Sequence, residues 1–302
     1  MLFDSHAHIN NDTFTEEERE ALIADIEASD LSYVMDIGFD LASSEQAVKD
    51  ARRLPWCYGA VGVHPHDAKT MNEDVLQRIK ELAGEEKVKA IGEIGLDFYY
   101  NKSEAEDQRY WFRRQIRLAN ELKMPIVIHS RQADQETMDI LKEEGAFSDE
   151  RAGWFPRRPG PIGAASHEPV HQSEQETCMA SPDCDATKAA GEKDCRVLLH
   201  CFSGSRQLAE QYVKLGATIS IAGPVTYKNN RKTTEVVAGI PIEYLLVETD
   251  SPYLTPEPFR GRPNKPPYVE HTARRVALIK EMEYDEVCRI TLENAKRFFG
   301  IE

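Results

Sequence analysis

Two histidines one residue apart, His6 and His8, close the first apolar run of the chain inside the sequence FDSHAH. Side chains two apart on an extended strand point the same way. The two imidazoles therefore form a natural chelate for a borderline metal. Alone, the pair does not separate a metal site from two hydrogen-bonded core histidines. Four further apolar runs end in the same manner. KVKAIGEIGLD carries Glu93 at its tip and Asp97 just beyond, PIVIHS ends in His129, RVLLHCFSG in His200, and YLLVETDSPYL in Glu248 and Asp250. Buried charge is costly unless it is paired or bound to a metal. Five apolar runs that each finish on a metal-capable side chain point to a metal site.

Four histidines (His6, His8, His129, His200) and two carboxylates (Glu93, Asp250) exceed the ligands of one tetrahedral ion. They suit a binuclear centre with ions roughly 3.5–4 Å apart, joined by a bridging carboxylate. Glu93 is the expected bridge, because its strand lies between that of His6 and His8 and those of His129 and His200. Such a centre makes a metal-activated hydroxide at neutral pH, so hydrolysis is the expected reaction. Glu93, Asp250 and His64 are the expected catalytic residues. His64, in GVHPH, could serve as a proton or hydrogen-bond donor, or orient a ligand. His66, Arg131, Lys228 and Arg260 are expected to touch substrate. The last two belong to basic loops, YKNNRK at 227–232 and RGRPNK at 260–265, which would form a positive rim suited to phosphate. Asp4, Asp97 and Glu248 are expected to support ligands. Imidazole-rich ligation suits Zn, Mn, Ni or Co, while Mg prefers oxygen. No aromatic platform of the RNP type and no helix-turn-helix is visible, so substrate choice is expected to rest on shape and backbone contacts.

Side chains on so many strands converge only if the strands stand side by side. Short apolar runs fall at 2–6, 33–37, 57–63, 89–93, 126–129, 197–200, 218–221 and 245–248. Amphipathic stretches of helical length lie between and after them, at 15–29, 73–84, 104–122, 133–143, 206–215, 269–282 and 285–299. Strand and helix in alternation make parallel βαβ units, and eight of them predict a TIM-type (β/α)8 barrel, whose sites gather at the C-terminal ends of the strands. A single barrel over 1–302 is expected, with one interruption. From 147 to 194 the chain is polar and aperiodic, which predicts a long irregular, solvated insertion between strands five and six. His167, His171, Cys178 and Cys184 within it, with Cys195 just beyond, match no standard zinc spacing. A tolerated surface insertion is expected there, with a lid or a protein-partner loop as alternatives.

Hydrophobic residues make up 41% of the chain, an ordinary value that argues against disorder and fibrous repeats. No run approaches the roughly 18 apolar residues that span a bilayer, and the start MLFDSHAHIN does not look like a signal peptide. The six cysteines form no C-x-x-C pair and read as reduced thiols, so a cytoplasmic protein without a membrane partner is expected. The net charge of −15 argues against tight coating of nucleic acid, though bound cations can reverse the sign locally.

The motifs DSHAH, GVHPH (62–66), GEIGLD (92–97), PIVIHSR (125–131), LHCFSG (199–204) and ETDSPYL (248–254) occur in that order along nearly the whole chain. Together they resemble the TatD family of metal-dependent deoxyribonucleases, within the amidohydrolase-like barrels. The resemblance implies that His6, His8, Glu93 and Asp250 hold one ion, and Glu93, His129 and His200 the second. It implies phosphodiester cleavage in DNA, of the 3′-5′ exonuclease type. The 147–194 segment departs from the family pattern and leaves substrate access open. Two alternatives remain at this stage: hydrolysis of a small amide, lactone or phosphotriester at the same centre, or a non-catalytic interaction protein acting through the insertion.

Overall fold

The computed structural model describes residues 1–160 and 192–302. Eight parallel strands pair in chain order: β1 (Leu2–Ala7), β2 (Leu31–Ile37), β3 (Cys57–Val61), β4 (Val88–Asp97), β5 (Ile126–Arg131), β6 (Val197–Leu199), β7 (Thr218–Ile221) and β8 (Leu245–Val247). The residues after β8 return to β1: Asp250 N donates to His6 O at 2.9 Å and His8 N to Ser251 O at 2.9 Å. The expected (β/α)8 barrel is thus nearly closed, and the seam runs through three of the candidate ligands.

Outside the strands run α1 (Glu16–Glu27), α2 (Leu41–Arg53), α3 (Glu73–Ala83), α4 (Ala105–Leu122), α5 (Asp134–Glu143), α6 (Asp149–Ala152), α7 (Arg206–Lys214), α8 (Arg231–Gly239), α9 (Val269–Lys280) and α10 (Tyr284–Phe299). Local chemistry starts several of them. Thr15 and Glu18 form a reciprocal capping box on α1, and Asp40 with Ser43 does the same for α2. Asn72 and Ser205 accept from backbone N–H groups that α3 and α7 leave unpaired.

The core has two layers. Leu76, Ile79, Phe112, Ile116, Ile91 and Ile128 belong to the large cluster between strands and helices. A second cluster takes Phe3, Met35, Ala60, Ala90, Val127, Leu198 and Leu246, at least one from each of seven strands. Residues from so many strands can meet only inside the ring. Phe298 and Phe299 of α10 join this inner cluster, with the Phe299 ring 5.8 Å from that of Phe3. Two residues beyond Val127 and Leu198 stand His129 and His200, on the same inward face. Register shifts between Asp4 and Ala7 in β1 and between Ile91 and Ile94 in β4 re-phase those strands around His6 and Glu93.

The expectation that 147–194 is irregular and solvated is corrected at both ends. α6 lies in it, and Arg158 pairs with Glu192 through two backbone hydrogen bonds of 2.9 and 2.8 Å. Arg151 and Arg158 are fully buried. Arg151 donates to Cys195 O, Asn120 Oδ1 and Met124 O, and Arg158 to Glu243 O, Thr218 Oγ1 and Asp194. Carbonyl, hydroxyl and carboxylate oxygens take these N–H groups, so two arginines serve as anchors where sequence suggests solvent. Of the residues considered for a zinc clip, His167, His171, Cys178 and Cys184 lie outside the described residues, and Cys195 is buried with a free thiol. No helix among the described residues is long and apolar enough to cross a membrane.

Gly95 decides how closely β4 and β5 approach. Its φ is +150°, and a Cβ there would lie 1.9 Å from the backbone oxygen of His129. Replacing Gly95 with alanine (Gly95→Ala) must therefore part the strands that hold Glu93 and His129. Strain and overpacking together are expected to cost about 2–5 kcal/mol. Denaturant unfolding checks this, and a midpoint equal to that of the wild type would contradict the packing.

Candidate metal centre

All six expected ligands converge at one end of the barrel. His6 lies near the end of β1 and His8 just past it, with their Nε2 atoms 3.3 Å apart. Glu93 Oε2 stands 3.5 Å from His6 Nε2 and 3.8 Å from His8 Nε2. Asp250 Oδ1 stands 3.8 and 3.5 Å from the same two nitrogens. Ligand atoms around a tetrahedral ion at normal bond lengths are separated by about 3.3–3.6 Å. The spacing thus fits a cation, whereas most of these contacts are too long for direct hydrogen bonds.

The other oxygen of Glu93 serves a different group. Oε1 lies 2.7 Å from His129 Nδ1, 2.7 Å from His200 Nε2 and 3.5 Å from His64 Nε2. The two short contacts are hydrogen bonds, and an ion held by the same three atoms would displace their protons. Three of the candidate ligand imidazoles have a polar partner behind them. His8 Nδ1 donates to Ile37 O at 2.8 Å, His129 Nε2 faces Asp97 Oδ2 at 3.2 Å, and His200 Nδ1 faces Glu248 Oε1 at 3.4 Å. Such partners aim the free lone pair at a metal and raise the basicity of the ring.

His64 is bonded differently. Its Nδ1 accepts from His66 N at 3.1 Å, so in the neutral ring the proton sits on Nε2, which faces Glu93. A ring of that tautomer offers the site a donor and has no lone pair left for a metal. Although His64, Glu93 and His129 are close enough to share an ion, this hydrogen bond favours a donor role. His66 is turned away, its Nε2 held by Asp97 Oδ2 at 3.0 Å. Asp97 is the last residue of β4, not a residue beyond it, because that strand runs four residues past the predicted end. Asp4 reaches no ligand imidazole among its bonds. It accepts from Thr249 N and Oγ1 and from His6 N, tying β1 to the segment that carries Asp250.

Charge balance is set by burial against mutual pairing. Burial opposes ionisation of Glu93, but the surrounding His200 and His64 and hydrogen bonds from His129 and His200 hold its carboxyl well below the usual range. Asp97 is held low in the same way by His129, the Tyr100 backbone and His66. Burial pushes His64 well below the ordinary histidine value. It pushes His129 and His200 down too, yet Asp97 and Glu93 raise His129, and Glu93 and Glu248 raise His200 well above normal.

The expected phosphate contacts sit further out. Arg131 is exposed at the end of β5, with its guanidinium 4.2 Å from the Tyr99 ring centre and 4.6 Å from that of Tyr100. Lys228 and Arg260 are exposed on the loops after β7 and β8, and Arg260 lies 4.4 Å over the Tyr227 ring, so the two basic loops meet. Sequence reading missed the aromatic surface beside the ligands: Tyr99, Tyr100 and Tyr253 are each about half exposed. The available signal was their position, two or three residues after Asp97 and three after Asp250.

Comparison with known proteins agrees with this geometry. The family model described as TatD-related DNase matches residues 3–300. The chain is 38% identical over 301 residues to the uncharacterized metal-dependent hydrolase YabD of Bacillus subtilis, covering all of both proteins. It is 31% identical over 305 residues to the 3′-5′ ssDNA/RNA exonuclease TatD of Cronobacter sakazakii, covering 99% of this chain and 97% of that one. In fold it is similar to the crystal structure of YJJV, a TatD homolog from Escherichia coli. That match has a TM-score of 0.78 at 23% identity and covers 100% of this chain and 98% of the other.

The raised values of His129 and His200 set a pH dependence. Without metal, their imidazolium–carboxylate contacts stabilise the fold below the ordinary histidine value and are lost as pH rises through the raised folded values. Cation binding needs those protons gone. Between about pH 6 and 8, metal affinity is therefore expected to rise while the metal-free protein loses thermal stability. Competitive metal titration and melting curves check both. Affinity that stays flat with pH would remove His129 and His200 from the ligand set.

Proposed function

The chain belongs to the TatD family of metal-dependent hydrolases, and from that premise we propose that it cleaves phosphodiester bonds in DNA, trimming strands from the 3′ end. His6, His8, Glu93 and Asp250 hold one divalent cation, and Glu93, His129 and His200 the other. The observation that carries this reading is the division of Glu93: Oε2 is directed at one set of ligands and Oε1 at the other. The relative in Cronobacter sakazakii is named a 3′-5′ ssDNA/RNA exonuclease, which supports the choice of substrate and polarity.

When bound, two such cations lower the pKa of coordinated water and offset the charge that gathers on a phosphate under attack. The protein's own groups do the rest. Glu93 and Asp250 stay ionised in a buried site and hold the ligand geometry. Buried and neutral, His64 presents its Nε2–H to a phosphoryl oxygen or to the departing oxygen. Arg131, Lys228 and Arg260 meet flanking phosphates from the rim, and His66 supports Asp97. We read the enzyme as cytoplasmic, where Cys57, Cys195, Cys201 and Cys288 remain thiols. An interaction role for the 147–194 insertion finds no support among the described residues.

His6→Ala or Glu93→Ala is expected to abolish hydrolysis of end-labelled DNA while leaving the far-ultraviolet circular dichroism unchanged. Chelation should silence the wild type, and added Zn, Mn or Co should restore it. Turnover that survives either treatment would contradict metal catalysis. His64→Asn should lower kcat by roughly 10²–10⁴-fold with metal content unchanged. Loss of metal in that variant would move His64 into the ligand shell. A panel of DNA, RNA and small esters tests the substrate: cleavage of esters alone would overturn the phosphodiester reading.

A further inference from the structure

Among the described residues, seven large hydrophobic side chains are exposed, and four of them lie on the turns that follow Asp97 and Asp250: Tyr99 and Tyr100 at 53%, Tyr253 at 54% and Leu254 at 36%. Exposed aromatic surface is unfavourable in water and is usually covered on binding. Its concentration beside the two site carboxylates Asp97 and Asp250 calls for a ligand at that site.

The tyrosines are built in rather than hanging free. Asp97, which orients His129 through Oδ2, accepts through Oδ1 from Tyr99 N at 3.0 Å and Tyr100 N at 2.9 Å. One carboxylate thus fixes both a ligand imidazole and the turn that carries two rings. Across the mouth, Tyr253 N donates to Asp250 O at 2.9 Å, Asn264 Nδ2 donates to Tyr253 O at 2.6 Å, and Asn11 Nδ2 donates to the Tyr253 hydroxyl at 3.2 Å. In the ring of eight strands, β4 and β8 stand four places apart, so the two aromatic turns rise from opposite sides of the opening. Positive charge accompanies them: Arg131 lies over Tyr99 and Tyr100, and Lys102 Nζ stands 5.8 Å from the Tyr100 ring.

We propose that Tyr99 and Tyr100 on one side and Tyr253 on the other are the residues that stack against unpaired bases at the end of a single strand. The proposal rests on the phosphodiester reading of the same site. Aromatic rings take any base by its face, whatever the sequence, and cationic groups between them follow the backbone. Two walls on opposite sides can be filled only by bases parted from their neighbours. At a duplex end, just the outer face of the terminal pair is open. Arg131 supplies a phosphate contact between the ring surfaces and the cations.

The test uses metal-loaded protein and a 5′-labelled single-stranded DNA protected by phosphorothioate at its 3′ end, with binding read by fluorescence anisotropy. Tyr99→Ala, Tyr100→Ala and Tyr253→Ala are each expected to weaken binding roughly tenfold, and the corresponding Tyr→Phe variants to keep it. In parallel, KM for an unprotected single strand should rise far more than KM for a blunt duplex or a small chromogenic phosphodiester. If alanine and phenylalanine lose binding alike, or if all three substrates lose equally, the rings have a structural role and the proposal falls. If wild type cuts DNA and the alanine variants match it, this proposal alone is overturned. If wild type cuts no nucleic acid, the phosphodiester reading is overturned with it.

Discussion

One buried carboxylate shared between two groups of imidazoles is the constraint on which this structure depends. Glu93 is almost fully removed from water and has five histidine rings within 3.8 Å of its oxygens. A lone ionised carboxylate at such a depth would be strongly unfavourable. Here it is offset either by imidazolium protons or by cations. The two states exclude one another, because ligation needs the lone pairs that the protons occupy. The same cluster is therefore stable without metal and ready to exchange protons for it.

The rest of the barrel serves to hold that cluster still. Strand pairing places His129 beside Gly95, and the absence of a side chain there lets the two strands come together. Behind three of the candidate ligands stand acceptors that orient the imidazole: Ile37 O for His8, Asp97 for His129 and Glu248 facing His200. Glu248 also accepts from Cys201 N at 2.7 Å, so it locks the turn that follows His200 as well as the ring itself. Asp97 does the same for the turn of Tyr99 and Tyr100. Ligand position and loop position are in this way decided by the same side chains, and a change in either carboxylate acts on both.

Much of this was legible in sequence because strand ends carry a simple code. An apolar run that stops on histidine or a carboxylate marks both the element and the site, and His6, His8, Glu93, His129, His200 and Asp250 all converge as that code implies. What it does not convey is capping and satisfaction. Helix α2 buries Ser43, Ser44 and Asp50 beside Ala47, Val48 and Ala51, so its inner face looks polar to a search for apolar periodicity. α8 buries a threonine and two valines and is equally faint. Arg151 and Arg158 read as solvated charge, yet backbone carbonyls received from distant segments make them interior residues. The aromatic turns were hidden for a related reason: exposure is a property of the assembled mouth, not of Tyr99 or Tyr253 taken alone.

The charge of the molecule then becomes intelligible. A net −15 would repel a polyanion if it were spread evenly. Four carboxylates, Glu93, Asp97, Glu248 and Asp250, are gathered around the imidazoles, and two divalent cations formally balance them. The acidic cluster is thus what draws cations to the mouth rather than a barrier that excludes phosphate. Beyond it the rim carries the exposed cations Arg131, Lys228 and Arg260. On the proposed reading such a protein would hold a strand end by a few phosphates and by stacked rings, without the extended basic face that coating a duplex demands.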